Sequence, residues 1–146
     1  MIQNQLHINM TKSVYMHFRP GRYSSCARVR EFGSEKYIKL AGHTLQKVNK
    51  VKFLGVIIDD ELSWEYHIDH LKEKLNSSIN IIKRIMKFIP KSEYHKLYSS
   101  LFKSHLTYCI SSWGGISSNK LSPLFLIQKR CVRLLFGKIP TFDHSA

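Results

Sequence analysis

Acidic side chains are scarce in this sequence. Ten Asp and Glu stand against 23 Lys and Arg, for a formal net charge of +13 and a pI near 9.8. Between Tyr94 and Phe142 there is no acid at all. A self-neutralised surface is therefore excluded over that third of the chain. A field of this sign and size favours a polyanion, nucleic acid most directly. An anionic membrane surface or an acidic protein partner are the alternatives. Aromatic residues interleaved with the basic ones favour nucleic acid.

Cysteine is also sparse. Cys26, Cys109 and Cys131 make an odd number, with no CxxC pair and no finger-type His/Cys spacing. This argues against a disulfide framework and a structural zinc site, and it makes a reducing compartment the default. No apolar run approaches the length of a membrane span, and Met1-Ile-Gln-Asn-Gln lacks the charged and apolar regions of a signal peptide. No internal repeat or low-complexity tract occurs. What is present suffices for a core: 43% of the 146 residues are hydrophobic, which excludes global disorder. The length fits one modest domain or two small subdomains.

The periodicity changes midway. Residues 1–62 read as short strands and turns. Val14 to Phe18 alternates, Arg19-Pro20-Gly21-Arg22 signals a turn, and residues 19–35 read as an exposed basic loop. Tyr37–Leu40 and Thr44–Val48 flank Ala41-Gly42-His43 as a hairpin. Phe53 to Ile58 is an apolar run around one Gly, and predicts a buried strand over residues 51–58. Asp59-Asp60-Glu61 ends it, and Ser63 is placed to cap a helix from Trp64. Residues 63–146 then read as three helices. In the first, Trp64, Ile68, Leu71, Leu75, Ile79, Ile82, Met86 and Ile89 form an apolar stripe that Pro90 ends. The second starts near Ser92 and runs to about Trp113, largely buried, before Gly114-Gly115. The third spans about Lys120 to Phe136, and Gly137 and Pro140 close it.

Charge is concentrated in the helical half, with 13 Lys and Arg against five acids over residues 63–146. At about 100° per residue, Asn76, Asn80, Lys83, Arg84 and Lys87 share the face opposite the first apolar stripe. Macrodipole complementarity explains the late cations as well as phosphate tracking does. On the third helix Lys129, Arg130 and Arg133 lie opposite the core stripe, with Lys138 beyond, and phosphate contact is the favoured reading. Asp59-Asp60 has the look of a metal-binding pair, but two-metal phosphoryl transfer needs a further carboxylate from another strand. The only acids upstream, Glu31 and Glu35, fall in the polar loop, so the catalytic reading is rejected. His67 and His70 have a spacing compatible with metal but no third ligand, so His67 is read as structural. Cys109 and Cys131 are read as core residues. No Gly-x-Ser-x-Gly elbow is present.

Five stretches in order resemble one family. They are Leu6-His7-Ile8-Asn9-Met10-Thr11-Lys12-Ser13 with Met16 and Phe18; Lys52-Phe53-Leu54-Gly55-Val56; Ser63-Trp64 with His67-Ile68; Leu97 to Gly114; and Gln128-Lys129-Arg130-Cys131-Val132-Arg133. Together, from about residue 6 to 138, they look like the palm end and thumb of reverse transcriptases of retrotransposons that lack long terminal repeats, the LINE-type, jockey-like elements being most similar. The resemblance implies an α+β fold, with a palm remnant over residues 1–62 and a three-helix thumb over 63–146. It implies that Lys52, Phe53, Leu54 and Gly55 belong to the strand pair that cradles the primer end. It also implies that Lys12 is the palm lysine proposed as a general acid toward pyrophosphate.

The departures from the family are as informative. Its Tyr-x-Asp-Asp hairpin and second metal-binding Asp belong upstream of Asn9, where only eight residues stand. The expectation is thus a truncated fragment of an RNA-directed DNA polymerase. Mg²⁺ would serve the parent enzyme, with no cofactor in the fragment and no polymerase activity by itself. The expected partners are a template–primer duplex and the remaining palm and fingers, with no membrane. Nuclear or cytoplasmic location follows from the resemblance alone. A basic helical protein-interaction module and a functionless transposon relic are the competing readings. Strands that have lost their palm partners would leave open edges, so residues 1–62 are not expected to be stable alone.

Overall fold

The computed structural model describes residues 8–19, 38–40 and 42–137. The basic loop beyond Arg19, Cys26, Glu31, Glu35, Lys138 and Pro140 lie outside them. The fold is α+β, with short strands first and helices after. The chain divides into two compact units between Ser63 and Trp64.

In the first unit, β1 (Val14–Tyr15) pairs in parallel with β4 (Gln46–Lys47), and Val48 N–H donates to Tyr15 O at 3.0 Å. The hairpin expected around Gly42 forms from β2 (Lys39–Leu40) and β3 (His43–Thr44), paired antiparallel. The single buried strand expected over residues 51–58 does not form. Lys50–Phe53 (β5) and Val56–Asp59 (β6) are instead two antiparallel strands, with Phe53 opposite Val56. The turn is Leu54-Gly55, both at positive φ (47° and 85°), the two-residue geometry whose twist matches the strands it joins. Gly takes its place there without strain, whereas Leu54 is held in the left-handed region. An Asn-Gly pair would have advertised this hairpin, and Leu-Gly conceals it inside an apolar run. Consequently Phe53 and Leu54 are exposed, and Val56 is the one buried apolar residue among those described in this unit.

The helix after β6 starts later and differently than Ser63 capping requires. Asp59 is 3% exposed, and its Oδ1 accepts the Ser63 N–H at 2.8 Å. Leu62 N–H donates to Asp59 O at 3.1 Å, and Leu62 takes a φ of 54°. Trp64, not Ser63, holds the N-cap position, at φ 64°. Asp59 thus stitches the end of the hairpin into a turn. Asp59→Ala should destabilise this turn by about 1–3 kcal/mol, because the part-buried Ser63 N–H loses its carboxylate acceptor. Hydrogen exchange is the readout. The β5–β6 amides should lose protection while the helices keep theirs, and unchanged β5–β6 exchange would refute the role.

In the second unit, α1 (Glu65–Ile85) buries Ile68, Leu71, Leu75, Ile79 and Ile82, as its periodicity requires. It ends at Ile85 rather than Ile89. Met86 N–H still bonds Ile82 O, Phe88 N–H turns back to Ile85 O, and Pro90 follows with extended ψ. The middle helix opens with a 3₁₀ turn (Lys91–Glu93). It continues through α2 (Tyr94–Leu97), a π-helical stretch (Tyr98–Lys103) and α3 (Ser104–Thr107). Its hydroxyls explain the irregularity. Ser100, Ser104 and Thr107 donate to the carbonyls of Lys96, Ser100 and Lys103, where they compete with the backbone ladder.

The helix does not run unbroken to Trp113. Tyr108 turns extended (ψ 120°), Cys109 is left-handed (φ 50°), and a separate α4 (Ile110–Trp113) follows. The break folds Trp113 into the core at 2% exposure, where its Nε1–H donates to Tyr108 O at 3.0 Å. It also leaves Cys109 exposed, against the core position expected of it. A Cβ at Gly114 would stand 2.6 Å from Ile110 O, so the exit from α4 admits only Gly.

The last helix, α5 (Ser118–Phe136), tolerates Pro123 in its second turn. Pro123 has no N–H for Asn119 O, and the Ser122 Oγ–H donates to that carbonyl instead at 3.1 Å. Gly137, at φ 83°, closes the helix as its sequence position implied. The core lies between these helices. Phe102, Leu75, Ile79, Ile82 and Cys131 are its most enclosed side chains.

Candidate nucleic-acid interface

Three contacts fix the directions of the helices. Lys120 Nζ, at the start of α5, lies 2.8 Å from Glu65 Oε1, at the start of α1. Tyr94 Oη–H, at the start of the middle helix, donates to Met86 O, at the end of α1. His67 on the first turn of α1 meets Trp113 edge-to-face at 5.6 Å, beyond the far end of the middle helix. The middle helix therefore runs antiparallel to α1, and α5 runs parallel to it.

Parallel α1 and α5 bring their late cations to the same end of the bundle. At about 1.5 Å per residue, Lys83 stands ~27 Å along α1 from Glu65, and Arg133 stands ~20 Å along α5 from Lys120. Lys83, Arg84, Lys129, Arg130 and Arg133 are exposed, as their positions opposite the apolar stripes require. Lys87 is exposed too, but it sits in the turn after α1 rather than on the helix face assigned to it. Asn76 and Asn80 line the exposed side of α1 leading to this end.

At the opposite end Glu65 pairs with Lys120, and Asp69 pairs with Lys72 at 2.6 Å. The acid at the basic end, Glu93 beside Tyr94, is taken up by Lys96 at 2.7 Å. Among the described residues none of the six late cations enters an ion pair. Lys129 Nζ instead stands 4.5 Å from the Phe125 ring centroid, which steadies its stem and leaves its charge for a ligand. Like charges held together without counter-charge cost stability, and an anion that binds them recovers it.

The other candidates from the sequence sit in the first unit. Lys12 ends a 3₁₀ turn (Met10–Lys12) and is exposed, with its backbone N–H on Asn9 Oδ1 at 3.3 Å. Lys52, Phe53, Leu54 and Gly55 gather at the tip of the β5–β6 hairpin. That tip was hidden in the sequence, and the structure brings the four together as one projecting feature. Asp59 faces Ser63, and Asp60 Oδ2 lies 3.6 Å from Arg19 Nη2. Neither carboxylate is arranged to hold a metal. Among the described residues no group of three or more His, Cys, Asp or Glu converges on one point.

His67 and Cys131 are core groups. Burial, then the charges of His70 and Lys74, hold His67 below its ordinary pKa of 6.5. Its neutral form is the folded one, so the unfolded chain binds more protons between the lowered value and 6.5. The stability His67 contributes is complete above 6.5 and lost as pH falls through the lowered value. The thermal midpoint should drop between pH 7 and 5. His67→Gln, which cannot titrate, should flatten that slope, and an equal slope in both proteins would refute the assignment. Burial pushes the Cys131 thiol up to about 11, which keeps it protonated and inert at neutral pH.

A shallow apolar groove of about 520 Å³ opens between the middle helix and α5. Tyr98, Leu106, Ile110, Trp113, Leu121 and Phe125 line it. Tyr98 Oη accepts a hydrogen bond from Gln128 Nε2–H at 2.8 Å beside it. Among the described residues no helix is long and apolar enough to cross a membrane.

The chain matches no family model, and no curated protein or solved structure matches it.

Proposed function

We propose that the helical unit binds the phosphate backbone of a nucleic-acid duplex through the basic end of its bundle. What supports this reading is that α1 and α5 start together at the Glu65–Lys120 pair, so the cations late on both helices lie toward the same, other end of the bundle. Each Lys or Arg at such a surface displaces a condensed counterion from the duplex, so binding should be steeply salt-dependent.

The resemblance described above gives this capacity a setting: these residues as the palm end and thumb of a non-LTR retrotransposon reverse transcriptase, gripping template–primer duplex. The projecting β5–β6 hairpin supports that setting, since the resemblance assigns Lys52 to Gly55 to a strand pair beside the primer end. No catalytic step is proposed for these residues. Asp59 and Asp60 are engaged by Ser63 and Arg19, and Lys12 would act only beside a metal-bound nucleotide held by other segments.

The apolar groove favours a second reading, a basic helical module that docks protein. A salt titration of binding to a labelled RNA–DNA duplex separates the two. The first reading requires a steep log–log dependence on salt. A flat dependence, or no duplex binding at low salt, would leave only the second.

A further inference from the structure

Phe88 is 87% exposed, the most exposed large apolar side chain among the described residues. A scattered exposed apolar residue needs no explanation. Phe88 differs in two ways. The backbone that presents it is tied down: its own N–H donates to Ile85 O at 2.9 Å, Tyr94 Oη–H holds Met86 O at 3.1 Å, and Glu93 N–H closes on Pro90 O at 3.0 Å. The ring is therefore held outward by ordered structure. Its surroundings are cationic, with Lys87 beside it, Arg84 one turn before and Lys91 just after, all exposed. The turn lies at the bundle end where the six cations gather.

An aromatic ring held in water amid phosphate-binding cations is the arrangement with which proteins grip unpaired bases. The cations follow the backbone and the ring stacks on a base face. A continuous duplex offers no base face to such a ring, because its bases are already stacked. We propose that Phe88 is a stacking platform for an unpaired nucleotide, so that this end of the bundle takes a junction between duplex and single strand. The inference rests on the proposed phosphate-binding reading of the same end and adds the kind of nucleic acid it takes. A membrane anchor would need a continuous apolar face around the ring, and the exposed Lys87 and Lys91 interrupt one.

The test compares a blunt duplex with the same duplex carrying a single-stranded oligo-dT overhang, by fluorescence anisotropy with the full chain. Wild type should prefer the overhang. Phe88→Ala should weaken overhang binding about tenfold and blunt binding by less than about twofold, and Phe88→Trp should keep the preference. Lys83, Arg84 and Lys87 changed to Ala should weaken both probes. An unchanged helical circular-dichroism signal certifies the fold of each variant. Equal wild-type affinity for the two probes would overturn the proposal, as would equal losses in Phe88→Ala. Phe88-dependent binding to phosphatidylserine vesicles without an overhang preference would overturn it in favour of a membrane surface. Absence of binding to either probe would instead remove the phosphate-binding reading beneath it.

Discussion

Neutralising the basic end should change nucleic-acid affinity by orders of magnitude and leave the fold intact. If all six cations (Lys83, Arg84, Lys87, Lys129, Arg130 and Arg133) meet phosphates, log affinity should fall against log salt with a slope of about −5. Affinity should then drop about a thousandfold between 50 and 200 mM salt. Changing the three cations near the end of α1 to Ala should reduce the slope by roughly 3, and changing the three on α5 should do the same. Net charge alone does not produce this result. Removing three exposed cations elsewhere, Lys39, Lys47 and Lys103, lowers the charge equally and should leave the slope nearly unchanged. The six side chains are exposed and outside any ion pair among the described residues, so each substitution should alter stability by less than about 0.5 kcal/mol. A duplex titration of the three triple variants decides the matter. Equal effects from all three would mean a diffuse field rather than a site.

Phe102→Ala should have the largest effect on stability. Phe102 is fully enclosed, stacks on Tyr98 at 5.6 Å, and sits in the π-helical stretch where the middle helix meets both α1 and α5. Removing the ring costs its transfer free energy and leaves a cavity between three elements that cannot collapse together, for about 3–5 kcal/mol. In a unit of this size that corresponds to a fall in thermal midpoint of roughly 15–30 °C. The first unit offers no comparable site, since Val56 is its one buried apolar residue among those described. Val56→Ala should therefore leave the main helical transition in place. Circular dichroism at the helical minimum measures both. A loss under about 1 kcal/mol for Phe102→Ala would mean that the core is centred elsewhere.

Much of the helical unit is legible in the sequence because its signals are local. The spacing of Ile68, Leu71, Leu75, Ile79 and Ile82 specifies a stripe, and Gly137 specifies a stop. The exposure of Lys129, Arg130 and Arg133 follows from their offset from Leu124, Cys131 and Leu135. Failures cluster where the backbone leaves the usual regions. Leu54, Leu62, Trp64 and Cys109 all take positive φ without being Gly. No residue type announces that choice, and between them the four misled three expectations. Leu54 hid a hairpin, Leu62 and Trp64 displaced a helix start, and Cys109 broke a helix and surfaced a thiol. In each case the cost of the left-handed residue is offset by what it permits: the β5–β6 pairing, the Asp59 turn and the burial of Trp113.

The sequence by itself determined the α+β order, the apolar stripes and the excess of positive charge, since composition and period are properties of the chain. The tertiary structure decided how the two cation groups are used. Their convergence depends on α5 running parallel to α1, which the break at Tyr108–Cys109, the return through Gly114 and the Glu65–Lys120 pair bring about. It also decided that Asp59 serves a turn and that Phe88 stands in solvent. Those outcomes rest on contacts between residues distant in the chain or on single backbone torsions, and neither leaves a period to read.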